Sequence, residues 1–317
     1  IPLRLVGSEM CIRDSGTSSL GSMPDTYGYE VSEDRAQKTL NRFFQGPVNM
    51  LDTSRNYAMG ESEKRIGKAI KENGGWPNGF LLSTKLDRNM DTLVLDKNRV
   101  RESLEESLKT LNVDSVDILF LHDPEYAKDI TDITKKDGAM DELFKIKNEG
   151  LAKAAGVAMG KVDIMFPLLK DWDFDVIINH NRYTLINREA NEMYDYASSK
   201  NIAIFNAAPY AGGVLAKGPD NFKKVTYQDA TEEKLAPARE FEKVCKKHNV
   251  ELGAAALQFS LRDNRITSTI CGVTSVESIE KNLAWANTNI PEEFWNEVLK
   301  LPYSTKDPES ERNFTPG

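Results

Sequence analysis

Cysteine is nearly missing from this chain. Cys11, Cys245 and Cys271 are its three in 317 residues, too few and too scattered for a disulfide framework or a metal-binding spacing, and a reducing compartment fits them. Histidine is as sparse: His122, His180 and His248 stand far apart with no cysteine or carboxylate cluster beside them, so no metal is expected. No stretch approaches the roughly 18 consecutive apolar residues that span a membrane, and no charged-then-apolar leader with a small-residue cleavage site is present. Positive charge is the minority sign. With 41 Lys and Arg against 49 Asp and Glu, a net charge of −8 argues against nucleic acid, whose phosphates need clustered cations. The expectation is a soluble, cytoplasmic protein, a monomer or weak homo-oligomer, whose partner is a small molecule rather than a membrane or nucleic acid.

What the chain does have is alternation. Apolar runs of strand length fall at 48–51, 80–84, 116–121, 154–158, 175–178, 202–205 and 267–270, with a weaker first one near 17–20. Between them lie helical patterns such as Val100, Leu104, Leu108 and Leu111, apolar residues recurring three and four apart. Continuous apolar strands divided by amphipathic helices imply a parallel sheet covered by helices. About eight such units, with no Gly-x-Gly-x-x-Gly after the first strand, favour a single-domain (β/α)8 TIM barrel over an open doubly wound sheet. Residues 1–15 have neither period, and Arg13 and Asp14 fall where a first barrel strand should be apolar. They read as a non-native leader in place of the true beginning, leaving 16–317 as the domain.

In a barrel the chemistry lies at the carboxyl ends of the strands. Asp52, Lys85 and His122 each occupy that position, and Tyr57 follows Asp52 in Asp-Thr-Ser-Arg-Asn-Tyr-Ala-Met-Gly-Glu-Ser-Glu. A Tyr hydroxyl is a poor acid or base at neutral pH, but an adjacent ammonium lowers its pKa, a part that suits Lys85; Asp52 would pair with that ammonium. His122 would donate a hydrogen bond to a substrate oxygen. Singly, each has a bland alternative: a packed loop Tyr, a solvated strand-end Lys, a structural His. All four in order outweigh those. Near the last strand, Gly272-Val273-Thr274-Ser275 precedes a helical pattern, so backbone amides there can receive a phosphate, although a plain Ser-capped helix would look the same. The connections 122–137 and 206–232 leave the same strand ends and are expected to form the substrate pocket.

This combination resembles the aldo/keto reductase superfamily, and His180-Asn181-Arg182-Tyr183, Asn206-Ala207-Ala208-Pro209-Tyr210 and Ala255-Ala256-Leu257-Gln258 continue the likeness in order. It is most similar to the branch of D-threo-aldose 1-dehydrogenases, or L-fucose dehydrogenases. The resemblance implies a catalytic tetrad at Asp52, Tyr57, Lys85 and His122. It also implies NAD or NADP held by His180, Gly272, Val273, Thr274, Ser275, Ser278 and Asn282. Many members carry Lys and Arg where this chain has Gly272 and Ser278, so NAD or dual use becomes credible. Ala58 replaces the usual Gly after the catalytic Tyr, a change that requires only a negative φ.

The resulting expectation is an NAD(P)-dependent oxidation of the anomeric hydroxyl of an aldose, L-fucose or a D-threo-aldose, to a lactone. A carbonyl or pyridoxal-type reductase would run the same machinery in reverse. A lyase with a Schiff base on Lys85, and a nucleotide-binding regulatory subunit without significant turnover, are the readings from other classes.

Overall fold

The computed structural model describes residues 14–311; Cys11 and all but the last two residues of the segment set aside at 1–15 lie outside the described residues. Eight strands form the barrel: β1 (Asp14–Gly16), β2 (Met50–Asp52), β3 (Leu81–Leu86), β4 (Val116–His122), β5 (Ala152–Met159), β6 (Val176–His180), β7 (Ala203–Ala207) and β8 (Ile266–Gly272). They close in the order β1-β8-β7-β6-β5-β4-β3-β2. The pairs β1/β2, β2/β3, β3/β4, β4/β5 and β7/β8 run parallel. Helices follow the strands, as a parallel sheet requires. The (β/α)8 barrel read from periodicity is the fold.

One strand departs from the reading. The first strand lies at Asp14–Gly16 rather than at 17–20, and it includes Asp14 and Ser15, which had been assigned to the leader. Its pairing with Met50, Leu51 and Asp52 is a matter of backbone, which polar residues supply as well as apolar ones. Thr17 then turns the chain, its amide and its hydroxyl both donating to the Asp52 carbonyl, at 3.0 and 2.9 Å.

By packing, the described residues form two compact units, one of 14–178 with 272–279 and the other of 179–271 with 280–311. In the first, Ile118, Leu119, Phe120 and Leu121 of β4 are all buried, the signature of a strand covered on both faces. Helix Lys97–Leu111 shows how the covering is built. The Asp96 carboxylate caps it by accepting from the amides of Asn98 and Arg99 at 3.0 and 2.9 Å. Val100, Leu104 and Leu111 are buried along one face, and Asn112 ends the helix with a left-handed φ of 62°. After β4, residues 122–137 make a 3-10 turn at Pro124–Tyr126 and a short helix at Thr131–Thr134. In the second unit, 206–232 holds the short helix Val214–Lys217 and a two-stranded ribbon, Lys224–Val225 with Gln228–Asp229. Among the described residues no helix is long and apolar enough to cross a membrane.

Gly156 in β5 lies where neighbouring backbone approaches closely. A Cβ there would stand 2.0 Å from the Val176 carbonyl oxygen and 3.0 Å from the Phe120 ring. Gly156→Ala is therefore expected to destabilise the protein by about 1–3 kcal/mol, read as a lower urea midpoint at unchanged slope; an unchanged midpoint would show that β5 can yield there.

Candidate active site

Asp52 ends β2, Lys85 lies one residue from the end of β3, and His122 ends β4, so adjacent parallel strands deliver three side chains to one place. Lys85 Nζ donates to Asp52 Oδ2 at 2.7 Å and to the Thr53 carbonyl at 2.6 Å, while Ser83 Oγ donates to Asp52 Oδ1 at 2.7 Å. The side chains of the ion pair are only 2% and 4% exposed. Removing either partner would leave a buried uncompensated charge, a loss of about 3–5 kcal/mol. A Schiff-base nucleophile needs a free amine, and this ammonium is buried between two acceptors, so the arrangement gives the lyase reading no support.

Tyr57 completes the group. Its ring lies with Lys85 Nζ 4.6 Å from the centroid and meets the His122 ring edge-on, centroids 5.7 Å apart. Two sequence expectations fail here. The phenol was to be made more acidic by Lys85, but its pKa is raised well above the usual 10, first by burial and then by the carboxylates of Asp52, Asp123 and Asp87. The Lys85 charge is already met by Asp52. Ala58 was to keep a negative φ, yet it has +51°, followed by Met59 at +53° and Gly60 at +92°. A left-handed turn is the short way from Tyr57 into helix Glu61–Glu72, and it costs about 1–2 kcal/mol at each non-glycine residue.

His122 is held by a residue that the sequence reading missed. Its Nδ1 lies 2.5 Å from Asp87 Oδ1 and 3.1 Å from Ser54 Oγ; Ser54 Oγ donates to Asp87 Oδ2 at 2.5 Å, and the Asn56 amide donates to the same oxygen at 2.9 Å. Burial opposes the imidazolium, but the charges of Asp87 and Asp123 outweigh it and the His122 pKa is raised. For Asp87, burial is likewise outweighed, by His122 and the hydrogen bonds from Ser54 and Asn56, and its pKa is lowered. With Nδ1 committed to Asp87, the protonated ring has Nε2–H to offer outward. Asp87 sits two residues after Lys85 and Ser54 two after Asp52, the strand period that points side chains the same way. That spacing was the available signal.

The rest of the motif braces the turn. Ser62 Oγ donates to the Thr17 carbonyl at 3.0 Å, and Thr84 Oγ1 donates to Glu63 at 2.6 Å. Burial pushes the Glu63 carboxyl up to about 7.

Gly272, Val273, Thr274, Ser275 and Ser278 belong to the same unit as these residues. The Val273 amide donates to the Gly16 carbonyl at 3.1 Å, and the amides of Thr274 and Ser275 converge on the Ser278 hydroxyl at 3.0 and 3.1 Å. Two amides aimed at one oxygen form an anion-holding arrangement whose place Ser278 now takes. Nothing lies within 4 Å of where a Gly272 Cβ would be, so a ligand can approach that backbone closely. The Arg35 guanidinium reaches the Thr274 hydroxyl at 3.4 Å, a cation that the sequence reading did not foresee because it comes from a helix some 240 residues earlier. These features fit the phosphate end of a nicotinamide dinucleotide. His180 and Asn282 fall in the other unit. There His180 Nδ1 lies 3.9 Å from Glu309, which the buried Arg182 guanidinium also engages. Asn282 Oδ1 accepts from the Tyr210 hydroxyl at 2.7 Å.

Comparison with known proteins bears on the family and the fold. A model of the Aldo/keto reductase family matches residues 15–301. An L-galactose dehydrogenase of Arabidopsis thaliana is 31% identical over 273 residues, 85% of this chain and 82% of that protein. A D-threo-aldose 1-dehydrogenase of a Pseudomonas species is 28% identical over 296 residues, 85% and 88% of the two chains. Among solved structures, an aldo-keto reductase from Bacillus halodurans in its holo form superposes with a TM-score of 0.75 at 20% identity, over 95% of each chain.

Asp87→Asn is expected to lower the His122 pKa, measured by NMR titration of the imidazole C–H resonances. An unmoved midpoint would remove Asp87 from this role. Because the folded-state pKa is the higher one, stabilisation through His122 is complete below the ordinary value near 6.5 and is lost as pH rises through the folded value. Urea midpoints should decline across that interval in the unmodified protein and less in Asp87→Asn.

Proposed function

Since the chain belongs to the aldo/keto reductase family and such enzymes use a nicotinamide cofactor, we propose that it oxidises the anomeric hydroxyl of an aldose to a lactone. The observation that carries the reading is the gathering of Tyr57, the Lys85–Asp52 pair and an Asp87-anchored His122 at the carboxyl ends of three adjacent strands. The similarity to dehydrogenases of L-galactose and D-threo-aldoses supports the substrate class. In this mechanism Tyr57 Oη takes the proton of the C1 hydroxyl as C1 gives up hydride, and the ring C–O bond is retained, so the product is the lactone. Protonated His122 donates from Nε2 to the same oxygen and fixes its place, because Asp87 and Ser54 leave its ring no freedom to turn. Lys85, fixed by Asp52, supplies positive charge beside the Tyr57 phenolate that the oxidation needs at its start and that the arriving proton converts to the phenol. Bound nicotinamide would supply the hydride acceptor, held through Gly272–Ser278. His180 and Asn282 are its further proposed contacts. Without Lys or Arg at 272 and 278, NAD or dual use is the proposed form, and the Arg35 guanidinium reaches the loop at the Thr274 hydroxyl.

One observation favours the reverse direction as a second reading. The Tyr57 pKa is raised well above 10, so the phenol holds its proton near neutrality, the state that reduces a carbonyl, and the His122 pKa moves in the same direction.

Mixing the protein with NAD or NADP and a panel of L-fucose, L-galactose, D-arabinose and D-galactose, and following reduced nicotinamide, tests the proposal. Turnover with one sugar is expected. Tyr57→Phe should lower kcat by about 10²- to 10⁴-fold while leaving the cofactor Kd, read by fluorescence titration, within a few-fold. Turnover that survives in Tyr57→Phe, or silence on every sugar beside activity on aldehydes, would overturn the oxidative reading.

A further inference from the structure

Immediately after His122 the chain turns left-handed at Asp123, φ 44° and ψ 49°. The backbone there is fixed on both sides: the Asp123 amide donates to the Ala158 carbonyl at 2.8 Å, and its carbonyl accepts from the Tyr126 amide at 3.0 Å. The carboxylate so placed has Oδ2 3.8 Å from His122 Nε2, the one ring nitrogen that Asp87 and Ser54 leave open. Oδ1 is buried with no hydrogen-bond partner among the described residues. A buried acceptor left unmet is costly, and the other oxygen of the same carboxylate stands beside the atom that would hold the substrate oxygen. Its nearness to both reacting groups also shows in their electrostatics, since its charge is among those that raise Tyr57 and His122.

Two residues on, Glu125 accepts from the amides of Gly160 and Lys161 through Oε1, at 3.0 and 3.4 Å, while Oε2 is buried and unpartnered among the described residues. Burial, and then the Asp123 charge, push this carboxyl up to about 8, so near neutrality Glu125 keeps its proton. The site thus presents a donor at His122 Nε2 and a charged acceptor at Asp123, 3.8 Å apart, which suits two oxygens on neighbouring carbons.

We propose that Asp123 accepts a hydrogen bond from the substrate hydroxyl on the carbon next to the reacting one, making this site select neutral, polyhydroxylated substrates over their deoxy analogues. The inference rests on the oxidoreductase reading of the site but not on its direction, because the adjacent hydroxyl is the same in the sugar and in a hydroxyaldehyde. Asp123 also disfavours an anionic group at that carbon, since two negative charges would meet in a largely buried place.

The test compares kcat/KM for two substrate pairs that differ in that hydroxyl alone: an aldose against its 2-deoxy analogue in oxidation, and lactaldehyde against propanal in reduction. The unmodified protein should prefer the hydroxylated member of each pair it turns over by about tenfold to a hundredfold, the range for a hydrogen bond to a charged group. Asp123→Ala should abolish most of that preference by slowing the hydroxylated substrate alone. Asp123→Asn, which keeps size and an acceptor oxygen but not the charge, should fall between. Cofactor Kd serves as the folding control. A residue that merely tuned His122 would slow both members equally, so a preserved ratio in both variants overturns the inference, as does the lack of any preference in the unmodified protein. Activity confined to the aldehyde pair, with its preference abolished in Asp123→Ala, would overturn the oxidative direction and leave Asp123 in its assigned role.

Discussion

The buried ion pair of Lys85 with Asp52 is the constraint around which this site is arranged. A charge placed between barrel strands has to be answered on the spot, because desolvation costs several kcal/mol per ion and only close, fully hydrogen-bonded partners recover it. Asp52 is met on both oxygens, by Lys85 and Ser83, and Lys85 is met by Asp52 and the Thr53 carbonyl. The positions of these groups are therefore as fixed as the strands that carry them. Tyr57 is laid against the ammonium by a turn strained into the left-handed region, and the neighbouring helix holds that turn through Ser62 and Glu63. The left-handed residues are stable only because what surrounds them is over-determined.

A second charge relation lies alongside the first, and the Lys85 charge works against it by lowering the His122 pKa. Asp87 and His122 form a pair in which each favours the other's charged form against the pull of burial. The two pairs divide the proposed labour: one stabilises charge on the phenol, the other orients and protonates the group facing the substrate oxygen. That division explains why the positive charge of Lys85 does not appear as a more acidic Tyr57 in the protein alone. Three carboxylates, Asp52, Asp87 and Asp123, act on the phenol as well.

Much of this was legible in the chain because the barrel writes its strands as continuous apolar runs, and because Asp52, Lys85 and His122 each end one. Seven strands lay within a few residues of where periodicity put them. β1 did not, since its pairing is carried by backbone and its residues, Asp14, Ser15 and Gly16, give no apolar signal. Asp87 was overlooked although it shares the strand face of Lys85, because a lone acidic residue past a strand end reads as a solvated loop. The conformation of Ala58 was beyond reach of local propensity, which disfavours a left-handed alanine; the need to re-enter a helix directly after Tyr57 overrode it. Arg35 at Thr274 is a contact across 239 positions, and no local pattern encodes such a distance.

The Ser278 hydroxyl, which gathers the amides of Thr274 and Ser275, has a bearing on how the proposed cofactor would come and go. A phosphate oxygen arriving there would replace bonds that already exist instead of meeting bare donors, and the displaced hydroxyl would have to find water. Binding becomes an exchange of neutral bonds for charge-assisted ones, so the loop would add to the grip on the dinucleotide only the difference between the two. It would also stay ordered when the dinucleotide leaves. Such a latch gives up affinity for speed: it spares the loop the entropy of refolding at every cycle, and it favours an enzyme that discharges one cofactor and accepts the next without pause.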